Sequence, residues 1–248
     1  MAVASGAGSS ALQVYRRHRA RRRRRGMAAV VGLALATVGL IRHWPAVGVE
    51  IPAAGSVVGV VAVLAGRRPD RWRRGAEGEQ RTAEILAALP HRRWAVWHDL
   101  AMPGSRANID HVVAGRTGVW VIDTKTTRAE VRAGWRSVRF GERRLDTRPV
   151  RWETEAVATA VADYLDGRRH GTFRVPVRPL VAVHGRGLRP RGVRVGGVPV
   201  IPAEQVVGRL RRGRRRLARR DLHMVCQAIE SAFIDGIDGI DWIDWIDG

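Results

Sequence analysis

The stretch Asn108-Ile109-Asp110-His111-Val112-Val113-Ala114-Gly115-Arg116-Thr117-Gly118-Val119-Trp120-Val121-Ile122-Asp123-Thr124-Lys125 gathers two aspartates and a lysine around one turn. Its two apolar runs flank Gly-Arg-Thr-Gly, a composition that predicts a tight hairpin. With Arg116 and Thr117 as the loop, Gly115 faces Gly118, and counting outward sets Asp110 opposite Asp123. Alternation along a strand then puts Asp110, Asp123 and Lys125 on one face of a sheet and Thr124 on the other. Opposed residues have Cβ atoms about 4.5–5.5 Å apart, where like charges repel. A divalent cation offsets that repulsion, and hard Mg²⁺ or Mn²⁺ prefers carboxylate oxygens. Such an ion generates a hydroxide nucleophile and polarises a phosphoryl oxygen, the two needs of phosphodiester hydrolysis. Lys125 is the only lysine among 44 basic residues. A compact ammonium where every other cation is a guanidinium fits a role in orienting water or neutralising charge developing on phosphate. The plainer reading is a chance survivor at a strand end. His111 falls on the face opposite Asp110 and reads as structural.

These residues need a sheet covered on both sides, because both strands are apolar on both faces. The surrounding pattern supplies one. A helix is expected from Glu77 to Leu89, ended by Pro90. Strands follow at Trp94 to Asp99, Asn108 to Ala114, Val119 to Lys125 and Val131 to Phe140, then a helix from about Trp152 to Leu165. Further strands are expected at Leu180 to His184 and Val198 to Ile201, with helices at Ala203 to Arg211 and Arg214 to Phe233. The fold class is α/β, a mixed sheet flanked by helices. Trp94, Trp97, Trp135 and Trp152 are each expected in core or sheet positions. Cys226, the one cysteine, excludes an intrachain disulfide or a multi-cysteine zinc site and reads as a small apolar residue on a late helix.

Asp110 followed by Asp123-Thr124-Lys125 at adjacent strand ends resembles the D…(D/E)-x-K signature of the restriction-endonuclease-like superfamily. Within it, Gly75-Ala76-Glu77-Gly78-Glu79 opening a helix, Asn108-Ile109-Asp110-His111, and the strand Gly118-Val119-Trp120-Val121-Ile122 resemble the nuclease-related domain (NERD), over about Gly75 to Leu165. The resemblance implies a restriction-endonuclease-like fold and metal-dependent nuclease activity. It makes Glu79 a helix-borne acid reaching the metal, Asp110 and Asp123 the central ligands, and Lys125 the catalytic lysine. Read without the family, a glutamate in a first helical turn is a helix-dipole or solvent residue. Two departures stand out. Asp123 occupies a position where many members carry glutamate, and their glutamine near the start of the next helix has no assigned counterpart in Arg151-Trp152-Glu153.

The rest of the chain speaks to location. Residues 1–26 form a basic tail containing the Arg16 to Arg25 block, 27–66 hold two apolar segments (about 27–41 and 47–66), and 67–74 are a basic linker. The nuclease-like domain spans 75–233, and 234–248 is an Ile-Asp-Gly/Trp repeat expected to be disordered rather than calcium-binding. The first apolar run is short for a span of roughly 20 residues, and the second carries Glu50 and Pro52. Basic clusters outside both runs, with little basic charge between them, predict two transmembrane helices in a hairpin with both ends cytoplasmic. A cleaved signal peptide or a pair of buried soluble helices are the alternatives.

A net charge of +21 points to polyanionic partners. Nucleic acid is expected on the domain, with arginine clusters at Arg209 to Arg216 and at Arg168 and Arg169, and anionic lipid beside Arg16 to Arg25. Nothing in the sequence sets an oligomeric state. The expected function is a membrane-anchored, Mg²⁺- or Mn²⁺-dependent nuclease at the cytoplasmic face of the cell membrane. Alternatives are a non-catalytic tether holding nucleic acid with the same fold, and an envelope structural protein with an incidental domain.

Overall fold

A computed structural model describes residues 69–167 and 174–234. The segments 1–66 (basic tail and expected membrane hairpin), the Arg168–Arg169 pair and the repeat tail from residue 235 lie outside the described residues. Among the described residues, no helix is long and apolar enough to cross a membrane. The chain divides into two units at the Ala76–Glu77 boundary, within the first helix, and the strands and later helices described below all belong to the unit that contains Glu77–Gly248.

Helix α1 spans Pro69–Leu86, longer at its start than the polar-apolar pattern predicts. Strands β1 (Trp94–Ala101), β2 (Asn108–Gly115) and β3 (Gly118–Thr126) follow as an antiparallel meander. The hairpin closes as its turn residues require, with Gly115 opposite Gly118, and Gly118 adopts φ 121°, a value that favours glycine. After a small three-stranded sheet, β4 (Val131–Ala133), β5 (Val138–Phe140) and β6 (Arg143–Arg144), helix α2 covers Arg148–Asp166. The segment expected as one strand from Val131 to Phe140 is thus a hairpin, broken at Gly134.

Strand β7 (Val177–His184) then pairs parallel to β3, β9 (Val198–Pro202) pairs parallel to β7, and β8 (Val193–Val195) closes the edge antiparallel to β9. The main sheet has six strands in the order β1-β2-β3-β7-β9-β8. A 3₁₀ turn (Ala203–Gln205), α3 (Val206–Arg211) and α4 (Arg219–Phe233) complete the unit. The last helix begins five residues later than its sequence pattern suggests. Residues before it are held as loop, because the backbone amides of Arg216 and Leu217 both donate to the Arg116 carbonyl (2.7 and 3.1 Å) at the β2–β3 turn.

Alternation sorts the core into two layers. One face of the sheet (Val112, Ala114, Val119, Val121, Val181, Val183) packs with α2 and α4 through Val157, Val161, Leu222 and Ile229. The other (Val113, Trp120, Ile122, Leu180, Ala182) packs with α1 and α3 through Leu86, Val206 and Leu210. A sheet covered on both faces explains why β2 and β3 read as continuous apolar runs. Trp94 and Trp97 are buried as expected, whereas Trp135 and Trp152 are exposed.

Candidate active site

The β2–β3 ladder runs from Gly115↔Gly118 to His111↔Ile122, and the next rung brings Asp110 and Asp123 together. There the strands exchange a side-chain bond: the Asp110 Oδ2 accepts the Thr124 amide at 2.7 Å. Asp123 Oδ1 accepts from the Lys125 Nζ at 2.5 Å. Thr124, on the other face, donates its hydroxyl to Thr82 on α1 (3.1 Å). The structure therefore brings Asp110, Asp123 and Lys125 to one face, with Thr124 opposite, as alternation predicts.

Glu79 reaches this cluster from α1. With the helix starting at Pro69, it stands in the third turn, so the first-turn helix-dipole reading falls away. Its carboxyl is pushed up to about 7 by burial, then by the charges of Asp99 and Asp123, against the pull of Lys125. The helix is held at this distance by a buried polar relay. Thr82 accepts from Thr124 and is hydrogen-bonded to His184 Nε2 (2.8 Å). Burial lowers the His184 pKa, and Glu204 and a hydrogen bond to the Gly78 backbone partly restore it against Arg81. Gly78 permits the approach: a Cβ there would overlap the Thr126 hydroxyl.

Two further acids stand at the cluster. Asp99 on β1 occupies the rung opposite Asp110, between the pairs His98↔His111 and Leu100↔Ile109. Its φ of 56° is the left-handed value that aspartate tolerates better than most residues, and its Oδ1 accepts from Asn108 Nδ2 at 2.7 Å. Glu153, in the second turn of α2, is 7% exposed and its Oε2 has no hydrogen-bond partner. Burial first, then Asp123, raises it to about 7, with Lys125 opposing. Glu153 thus fills the neighbourhood where the sequence left no assigned counterpart to the family glutamine.

These carboxyls shift one another. Burial pushes Asp110 well above the carboxylate range, joined by Asp123 and Glu79 and opposed by Lys125 and the Thr124 amide. Asp123 is raised by burial against the Lys125 ammonium bonded to it. For Lys125, burial favours the neutral amine, but Asp123, Asp110 and Glu153 together outweigh it and hold the ammonium firmly protonated. One cation among several buried acids leaves excess negative charge, the condition under which carboxyls share protons or bind a cation. Among the described residues, no group of three or more His, Cys, Asp or Glu side chains is arranged to hold an ion as it stands.

His111 lies on the α1 side, as expected for a structural residue. Its Nδ1 meets that of His98 at 2.7 Å, and burial followed by His98 drives its pKa down to about 3. Cys226 is buried in the core, and burial raises its thiol far above the usual range.

At the other end of the sheet, around the β2–β3 turn, arginines line two cavities of about 520 and 470 Å³ that share Gly213. Arg92, Arg116 and Arg215 line the first, Arg178, Arg194 and Arg209 the second, and neither lining contains an acidic residue. Arg178 lies over the Trp120 ring at 5.3 Å.

The class defined so far is an α/β protein with a six-stranded mixed sheet between helices and a lysine–carboxylate cluster where β2 and β3 diverge. Residues 74–184 match the family model of NERD, the nuclease-related domain, and this match supports the nuclease-related domain family for that segment and suggests a nuclease-like function. Searches among curated proteins and among solved structures gave no match.

Proposed function

We propose that this protein is a membrane-anchored, metal-dependent nuclease of restriction-endonuclease-like fold that hydrolyses phosphodiester bonds at the cytoplasmic face. The observation carrying this reading is the convergence of Asp110, Asp123, Lys125, Glu79 and Glu153 within the segment that matches the nuclease-related domain. The donor set suits a hard divalent ion. Asp110 Oδ1 and Asp123 Oδ2 are oxygens not used by the Thr124 and Lys125 bonds, and the Glu79 carboxyl lies within reach of the Asp123 and Lys125 charges. Asp110, Asp123 and Glu79 would hold Mg²⁺ or Mn²⁺, which when bound supplies Lewis acidity and a water of lowered pKa.

The chain's own groups account for the remaining needs. Lys125, kept protonated by Asp123, is a compact cation able to offset charge developing on the oxygens of a bound phosphate. Glu153, raised to about 7, can hold or release a proton near neutral pH, which suits it to take one from an attacking water.

The arginine-lined cavities favour a second reading, a tether that binds nucleic acid through phosphate without cutting it. Cleavage of plasmid, linear duplex and single-stranded substrates, with Mg²⁺, Mn²⁺ or EDTA, separates the two. Metal-dependent cutting lost in Asp123→Ala and Lys125→Ala is expected for the nuclease. Binding of every substrate without cleavage would leave the tether.

A further inference from the structure

The segment between Lys125 and Glu153 is not a simple connection. Thr127 continues beside β7, its amide bonding the His184 carbonyl at 3.0 Å, and Val131 bonds the Arg186 carbonyl at 2.7 Å. The chain then forms the β4–β5–β6 sheet and enters α2, which carries Glu153. The small sheet is therefore rooted at the strand ends that bear the carboxylates.

Its inner side is anchored: Val131 and Val138 are buried in the core shared with α2, and Phe140 packs against it. Its outer side is a row of like charges. Arg132 pairs with Arg139, and Arg139 with Arg144, so three exposed guanidiniums stand abreast across three strands. Neighbouring strands lie about 4.8 Å apart. Directly opposed like charges destabilise a sheet. Arg139 has an acidic neighbour, the 94% exposed Glu142 at 3.4 Å, a separation and exposure that make it weak compensation. At the β4–β5 tip, closed by the Gly134 amide bonding the Ser137 carbonyl (2.9 Å), Trp135 is 93% exposed. A large aromatic left in water at the tip of an ordered hairpin, beside a cationic ladder, is a pairing that binds single-stranded nucleic acid: phosphate on guanidinium, base on indole.

We propose that the β4–β5–β6 sheet is a substrate-binding wing, in which Arg132, Arg139 and Arg144 grip a nucleic-acid backbone and Trp135 stacks on an unpaired base. It deepens the nuclease reading by naming single strands, or the frayed parts of duplexes, as the preferred substrate. The wing begins at Val131, six residues after Lys125 in the chain, and its last strand leads into α2, which carries Glu153, so it is joined at both ends to elements of the carboxylate cluster. Tyrosine or phenylalanine at position 135 preserves a stacking face, whereas alanine removes it.

The test uses full-length protein in EDTA, so that binding is read without cleavage. Fluorescence anisotropy of labelled oligo-dT and of a mixed-sequence duplex is followed over a salt series for wild type, Trp135→Ala, Trp135→Phe and the triple Arg132→Gln/Arg139→Gln/Arg144→Gln. Phosphatidylserine–phosphatidylcholine vesicles are assayed in parallel by flotation. Trp135→Ala should weaken oligo-dT binding about tenfold, with Trp135→Phe near wild type and duplex binding less affected. The triple variant should lower the slope of log affinity against log salt by about 2, the value for three lost single-strand phosphate contacts. Unchanged oligonucleotide binding in both variants, or loss confined to vesicles, overturns the proposal. If wild type cuts nothing yet these binding losses appear, the wing stands and the nuclease reading fails. If Asp123→Ala abolishes cutting while the wing variants bind as wild type, the reverse holds.

Discussion

Replacing Glu153 by glutamine removes a buried acid while keeping its shape, and the sign of the effect on stability follows from its raised pKa. A carboxyl lifted from 4.5 to about 7 binds its proton more tightly in the folded protein than in the unfolded chain. Its favourable contribution is complete below pH 4.5 and is lost as pH rises through 7. At ~1.36 kcal/mol per pH unit, that rise corresponds to about 3 kcal/mol. Between those limits this one group makes the metal-free protein lose about 1.4 kcal/mol of stability per pH unit. Glu153→Gln should therefore be more stable than wild type at pH 8 by up to about 3 kcal/mol, with little difference at pH 4 and a flatter profile between. Urea unfolding in EDTA at a series of pH values measures this directly. A variant that is less stable at pH 8, or that keeps the wild-type slope, would show that Glu153 is not an uncompensated acid in this cluster.

Gly78→Ala should destabilise the protein by about 1–3 kcal/mol and diminish cleavage, because its methyl overlaps the Thr126 hydroxyl and pushes Glu79 away. Adding Thr126→Ala should restore most of the loss in thermal unfolding, and failure to do so would place the strain elsewhere. Cys226, buried with its thiol raised, should resist maleimide in the native protein at pH 8 and react on unfolding; fast native labelling would contradict its place in the core.

The Gly115–Gly118 turn carried most of what the sequence disclosed, since a two-residue loop fixes register and alternation then fixes the face of every later residue. Glu153 was legible in principle. It lies three residues after Val150 and four before Val157, on the buried stripe of α2 that is otherwise apolar but for Thr154, and a glutamate on such a stripe signals a site. Strand β8 was also signalled, by Gly196-Gly197 between Val-Arg-Val and Val-Pro-Val, a turn whose positive φ values (56° and 84°) suit a tight hairpin. Asp99 was harder, because its place depends on the β1–β2 register, which the loop 102–107 does not announce. The late start of α4 was not readable at all: it follows from hydrogen bonds to a turn 100 residues earlier in the chain.

The pairing of β3 with β7 has a consequence for how the protein is made. The meander β1–β2–β3 needs only local contacts and can assemble as soon as residue 126 has emerged. Its innermost strand, Gly-Val-Trp-Val-Ile-Asp-Thr, then waits with an open edge until Val177–His184 arrives some fifty residues later. During synthesis that edge is an apolar, uncharged-at-one-end template for pairing with a neighbouring chain. The matched segment ends at residue 184, where β7 ends and closes the gap, but a chain cut there lacks α4, which shares one sheet face with α2, and α3, which covers part of the other. Shortened versions of this protein are therefore expected to fail by self-association in the cell rather than by slow catalysis, and cooling during expression, which weakens apolar association, is the condition that should rescue them.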